Sequence, residues 1–110
     1  MTEKIVLTLL NGKEVDLSLN FNKLALLKKV KNGLYQRYNS VMMNQKKDMD
    51  IFDMPFVLYI AYWCANFEVG KEIYEVDEFI SLVPFDFGLI KGLFQKLTTP
   101  KKNKNLEIHS

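Results

Sequence analysis

The stretch Met54 to Phe67, MPFVLYIAYWCANF, constrains this chain more than any other. Only Pro55 and Asn66 interrupt its apolar run. Asp53 and Pro55 mark its start as a helix, because an aspartate can cap free amides and proline is tolerated in the first turn. At ~1.5 Å rise per residue the helix spans about 21 Å, short of the roughly 30 Å hydrocarbon core of a bilayer. A helix that is apolar all round must be buried on most of its surface. Either it is the centre of a small domain, or one of its faces is kept for another chain.

The rest of the composition narrows the setting. A chain of 110 residues, 48% of them hydrophobic, fits one compact domain with a real core. Its net charge of +2 is too mild to imply nucleic acid. Met1-Thr2-Glu3-Lys4 leads into a short alternating segment, so no signal peptide is expected. The single Cys64 excludes a disulfide framework and points to a reducing compartment, read as cytoplasmic.

In chain order, Glu3 to Leu10 and Lys13 to Leu19 flank Asn11-Gly12, a strong hairpin signal. A two-residue loop would set Leu7 against Asp16 and mix the faces. A three-residue loop, Leu10-Asn11-Gly12, with Gly12 left-handed in a bulge, sets Leu7 against Val15 and Ile5 against Leu17. That register places Ile5, Leu7, Leu9, Val15 and Leu17 on one face. Lys4, Thr8, Glu14, Asp16 and Ser18 fall on the other, with Val6 the exception. A one-residue slip would reverse every side chain, so the bulged loop is expected.

Asn20 suits the cap of the next helix. Phe21, Leu24, Leu27, Val30 or Lys31, Leu34, Tyr38 and Val41 recur at helical spacing. Asn32-Gly33 interrupts this stripe without shifting its phase. A continuous helix is expected there, at a cost of ~1 kcal/mol for the glycine. Lys23, Lys28, Lys29, Lys31 and Arg37 lie mostly on its outer side, as a solvated face or, less simply, a phosphate-binding surface. Asn44 to Asp50 reads as a polar connection, with Met42, Met43, Met49 and Met54 filling gaps around it.

After Phe67 a loop punctuated by Gly70 leads to a short helix. Asp77 and Glu78 lie in its first turn, and Pro84 stops it after Val83. Asp86 caps a final helix with Phe87, Ile90, Leu93 or Phe94, and Leu97 on its stripe. From Thr98 onward TTPKKNKNLEIHS loses periodicity. The expected fold is therefore α+β and mainly helical, an N-terminal β-hairpin packed on about four helices. It forms a single domain over residues 1–99, followed by a mobile basic tail over 100–110.

Few residues could carry chemistry. His109 is the only histidine and stands one residue from the end of the sequence. Cys64 sits among apolar neighbours, which raise a thiol pKa and make it inert. Asp48, Asp50 and Asp53 resemble a loose acidic ligand set, but the glycine and terminal glutamate of a calcium loop are missing. No glycine loop is built to cradle phosphate, since Gly88 and Gly92 fall within the last helix. The reading is of a non-enzymatic protein with no catalytic residues, metal or cofactor. Lys101, Lys102 and Lys104 lack interleaved aromatics, so nucleic acid is not the expected partner. What stands out is a surplus of aromatics, a residue class enriched in interface hot spots. Phe56, Tyr59 or Ile60, Trp63 and Phe67 occupy one side of the central helix, and Leu58, Ala61, Tyr62 and Ala65 another. A small domain has few elements with which to cover both. An exposed aromatic strip is expected, with Phe56, Tyr59, Tyr62 and Trp63, extended by Phe85 and Phe87, as partner-binding residues.

The layout then resembles a known family. A hairpin with LNGKEVDLSLNFNKL runs into a long helix, followed by the apolar FVLYIAYWCANF, the acidic-start VDEFISLV and a final helix with a basic tail. Over about residues 3 to 97 this is similar to the small tail assembly chaperones of long-tailed bacteriophages infecting Gram-positive bacteria. The resemblance implies a late, non-structural protein of the host cytoplasm that coats the long helical tape measure protein through an apolar groove. It also implies weak self-association into an open homo-oligomer, and no membrane. Two other classes stay open, a small nucleic-acid-binding regulator and an inhibitor-like adaptor that forms one closed complex.

Overall fold

A computed structural model describes residues 5–43 and 53–98. The expectations for Lys4, for the connection with Asp48 and Asp50, and for the basic tail, including His109, lie outside the described residues.

Strand β1 (Ile5–Thr8) pairs antiparallel with β2 (Glu14–Leu17), Leu7 opposite Val15 and Ile5 opposite Leu17. The turn shows why this register wins. Gly12 has φ 87°, a left-handed conformation that glycine adopts without steric cost. That twist lets the Leu9 amide reach the Lys13 carbonyl at 2.8 Å and the Gly12 amide reach the Leu9 carbonyl at 2.8 Å. Leu7, Leu9, Val15 and Leu17 are buried as the alternation requires. Ile5 and Val6 are half-buried, while Thr8, Glu14 and Asp16 face water.

Helix α1 (Phe21–Val30) starts where the Asn20 side chain accepts the Lys23 amide at 2.8 Å. Helix α2 (Asn32–Met43) is separate from it, so the expectation of one continuous helix is corrected. Lys31 leaves helical geometry at φ −139° and ψ 63°. An unbroken helix would satisfy the Lys28 carbonyl with the Asn32 amide. Here the Asn32 side chain donates to that carbonyl at 3.3 Å. Asparagine competes with the backbone for such bonds and Gly33 adds chain entropy, so the helix yields at this point. The break raises the number of helices from the expected four or so to five.

Helix α3 (Met54–Asn66) is the apolar run. Pro55 lies in its first turn, but the Asp53 side chain makes no capping bond. With φ −87° and ψ −19°, Asp53 is itself near-helical, and its carboxylate does not occupy the capping position. Helix α4 (Val76–Leu82) opens with Glu78 reaching back to the Glu75 amide at 3.4 Å. Helix α5 (Phe87–Thr98) opens with the Asp86 carboxylate accepting the Leu89 amide at 3.1 Å.

The other elements are arranged around α3, which packs against β2, α1, α2, α4 and α5. Backbone and side-chain bonds fix it to the hairpin: the Ser18 amide donates to the Ala61 carbonyl at 3.1 Å, and Asn66 Nδ2 to the Asp16 carbonyl at 3.0 Å. From Phe56 to Cys64 every α3 residue is buried. At about 1.5–3 kcal/mol for each large apolar side chain, this one helix supplies a major share of the burial free energy.

Candidate functional site

Five neighbours around α3 decide the fate of the expected aromatic strip. Phe56, Tyr59, Tyr62 and Trp63 are 0%, 3%, 5% and 1% exposed. The expectation that they form an exposed strip is corrected. The hairpin covers one side of α3 and α4 with α5 another, while α1 and α2 close the rest.

Each of the four has a particular place. The Arg37 guanidinium lies 4.0 Å from the Phe56 ring centroid and closes it from solvent. Trp63 stacks on Phe67, with centroids 4.4 Å apart and planes at 11°. Tyr59 and Tyr62 clamp the 68–75 loop to the body. Tyr59 Oη donates to the Tyr74 carbonyl at 2.9 Å, and the Tyr74 amide donates to Tyr62 Oη at 2.9 Å. Phe79 closes the cluster, stacked on Tyr62 at 4.8 Å and edge-on to Tyr59 at 5.5 Å. Hairpin residues complete it from above, with Asn11 Nδ2 donating to Tyr74 Oη at 3.1 Å and the Lys13 ammonium over the Tyr74 ring at 5.5 Å.

These hydroxyls are structural donors and acceptors. Burial pushes the Tyr59 phenol well above its usual range, helped by Glu75 and Tyr62. Burial also raises Tyr62, against the opposing Tyr74 amide. Cys64 is buried and its thiol is pushed up to about 11, chiefly by burial, which the Asn20 amide and the Lys23 ammonium only partly counter. A thiol in this state is protonated at neutral pH and a poor nucleophile. No group of three His, Cys, Asp or Glu residues that could hold a metal occurs among the described residues.

Phe85 and Phe87 differ from these four in exposure. They flank Asp86 at the joint between α4 and α5, are 86% and 50% exposed, and stand edge to face with centroids 5.0 Å apart. Leu89, one turn into α5, is also exposed. The hairpin tip reaches the same joint, since the Leu10 amide donates to the Leu82 carbonyl at 2.8 Å and the Leu10 side chain stays in solvent.

Grooves lie elsewhere among the described residues. One, of about 620 Å³, runs between the α1–α2 junction and the 71–75 loop, with Tyr62 and Trp63 at its floor and Lys31 and Glu72 among its charged lining. Another, of about 320 Å³, is of mixed polarity, lined by Leu19, Leu24, Tyr38, Met42 and Leu97 together with Asn20, Phe21 and Thr98. Phe21 is 89% exposed, although its position on the helical stripe predicted an inward side chain. As the first residue of α1 it sits beside its cap, where the stripe has not yet reached the core. Val30 is corrected in the same way, being 47% exposed beside the break at Lys31.

No helix among the described residues is long and apolar enough to cross a membrane. Comparison with protein-family models, curated proteins and solved structures finds no match for this chain.

Proposed function

We propose that this is a non-enzymatic chaperone of phage tail assembly, which binds and shields the long helical tape measure protein in the host cytoplasm. One observation supports the reading above the others. Phe85 and Phe87 stand together in solvent at a joint held by the Asp86 cap, a place where no core requires them. Solvated aromatics next to one another carry an apolar surface whose natural use is contact with another chain. Of the elements on which the resemblance rests, the apolar helix is central in the fold, while the expected long helix is the pair α1 and α2.

Burial of α3 moves the contact surface of this reading. The partner's apolar side chains pack against Phe85, Phe87 and Leu89, while Tyr59, Tyr62 and Trp63 hold the body beneath. A long helix with an apolar stripe aggregates unless such a surface covers it, in the helix-against-groove mode. Contacts of a few aromatics per copy stay weak, so the tail tube can displace the chaperone. Weak open self-association lets many copies follow one long partner.

The test is titration of helical tape measure fragments against the wild type and Phe85→Ser/Phe87→Ser, with co-purification from infected cells alongside. The double variant should bind roughly tenfold or more weakly, equivalent to about 1.4 kcal/mol or more, with an unchanged thermal midpoint. Absence of tape measure protein from the wild-type co-purification, with no binding of its fragments, refutes the proposal.

A further inference from the structure

Charge is segregated along this chain in a way that the near-neutral total conceals. From residue 21 to 43 the sequence holds Lys23, Lys28, Lys29, Lys31 and Arg37 and no carboxylate. From 68 to 86 it holds Glu68, Glu72, Glu75, Asp77, Glu78 and Asp86 against a single cation, Lys71. The first set is carried by α1, α2 and the Lys31 joint between them, the second by the loop after α3, by α4 and by Asp86 at the start of α5. All six carboxylates are exposed, as are all the cations of the first set except Lys23, which is half-buried and donates to the Phe67 carbonyl at 3.1 Å. The two surfaces lie on either side of the larger groove, to which Lys31 and Glu72 both contribute.

α4 packs on α3, and three of the cations of the first set are engaged by a carbonyl or a ring, Lys23 at the Phe67 carbonyl, Lys28 over Tyr35 at 5.6 Å and Arg37 over Phe56. The basic surface thus carries no carboxylate of its own, and the acidic one is predominantly of the opposite sign, with Lys71 within it and Lys13 beside it over the Tyr74 ring. Like patches repel and unlike ones attract, so a second copy supplies the partner that each patch lacks.

We infer that the α1–α2 face of one copy docks on the 68–78 face of another, an electrostatic contact between copies of this chain. This deepens the self-association in the proposed function by assigning its surfaces, and it does not depend on tape measure binding at the α4–α5 joint. Long-range attraction of this kind sets register and speeds encounter, and it is lost with screening. That suits an assembly that must form and dissolve.

The experiment is sedimentation equilibrium of the full chain across a hundredfold dilution, at ~0.1 M and ~1 M salt, where the screening length falls from about 10 Å to about 3 Å. Three samples are compared with the wild type: Lys29→Glu/Lys31→Glu, Glu68→Lys/Glu72→Lys, and an equal mixture of the two. Wild-type association should weaken roughly tenfold or more at the higher salt, given how steeply screened exposed charges are. Each reversed variant alone should associate as weakly, and the mixture should recover, because each variant then meets a face of opposite sign. Thermal unfolding accompanies every sample, and if charge reversal impairs folding Lys29→Gln/Lys31→Gln replaces the first variant, read for its own weakened association and not in the mixture.

Association that ignores salt and both reversals overturns the inference, as does a mixture that fails to recover. A wild type that is monomeric throughout, but binds an oligonucleotide through Lys29 and Lys31, also overturns it and assigns the basic face to nucleic acid. Tape measure fragments titrated against the same variants keep the two proposals apart. Retained fragment binding with failed association removes this inference alone.

Discussion

Trp63→Ala tests whether α3 is core on every side. The side chain is 1% exposed and stacked on Phe67 at 4.4 Å. A buried aromatic removes about 150–250 Å² from water, worth about 4–6 kcal/mol at ~25 cal/mol per Å². Denatured chains already bury roughly 10–40% of such surface, which lowers the expected loss to about 3–5 kcal/mol. Truncations of core aromatics fall in that same range, roughly 3–5 kcal/mol. A domain of this size has a total stability of ~5–15 kcal/mol, so the variant loses a large fraction of it. Urea titration followed by far-ultraviolet circular dichroism should show the midpoint falling while the slope stays near that of the wild type. Phe85→Ser is the internal control and should move the midpoint by less than about 0.5 kcal/mol, as for an exposed site. A Trp63→Ala protein within about 1 kcal/mol of the wild type would refute the burial argument and return α3 to the surface.

Other outcomes follow from the same contacts. Leu17→Asp puts a charge on the buried hairpin face, 3% exposed in the wild type, and should cost several kcal/mol in the same titration. Tyr62→Phe strands the Tyr74 amide and should cost about 1–3 kcal/mol, with faster hydrogen exchange confined to the 68–75 loop. Cys64 ionises near 9 in an unfolded chain and near 11 in the fold, so the unfolded state loses its proton first. Its contribution to stability is therefore constant below pH 9 and falls as pH rises from 9 to about 11, and Cys64→Ala should flatten the wild-type decline over that window.

Local signals were sufficient for much of this fold. The Asn11-Gly12 turn and the alternation of Leu7, Leu9, Val15 and Leu17 define one register, because any slip would move four apolar side chains into water. Asn20 and Asp86 cap their helices through bonds to the amides of Lys23 and Leu89, which lie three residues ahead in sequence. Such interactions are complete within one turn of chain, so the residues that make them can be read in order. The break at Lys31 was less legible. Its stripe kept phase through Asn32-Gly33, and the competing bond from Asn32 to the Lys28 carbonyl has the same four-residue spacing as a continuous helix.

The candidate site was legible only in part. That the chain carries a surplus of aromatics, and that Phe85 and Phe87 bracket a helix start, were properties of sequence alone. Which aromatics face water was not, because it depends on how many elements converge on α3. The sequence by itself determined an apolar helix beginning at Met54, which ends in the structure at Asn66, since every face of any helix drawn there is apolar. Tertiary structure decided that all those faces are covered, through a hairpin on one side and four helices around the rest. It also decided that Phe21, in phase with Leu24 and Leu27, stays in solvent at 89% exposure. Periodicity reports only the direction in which a side chain points from its own helix axis. Burial is a property of what lies at the other end of that direction, and distant segments of the chain supply it.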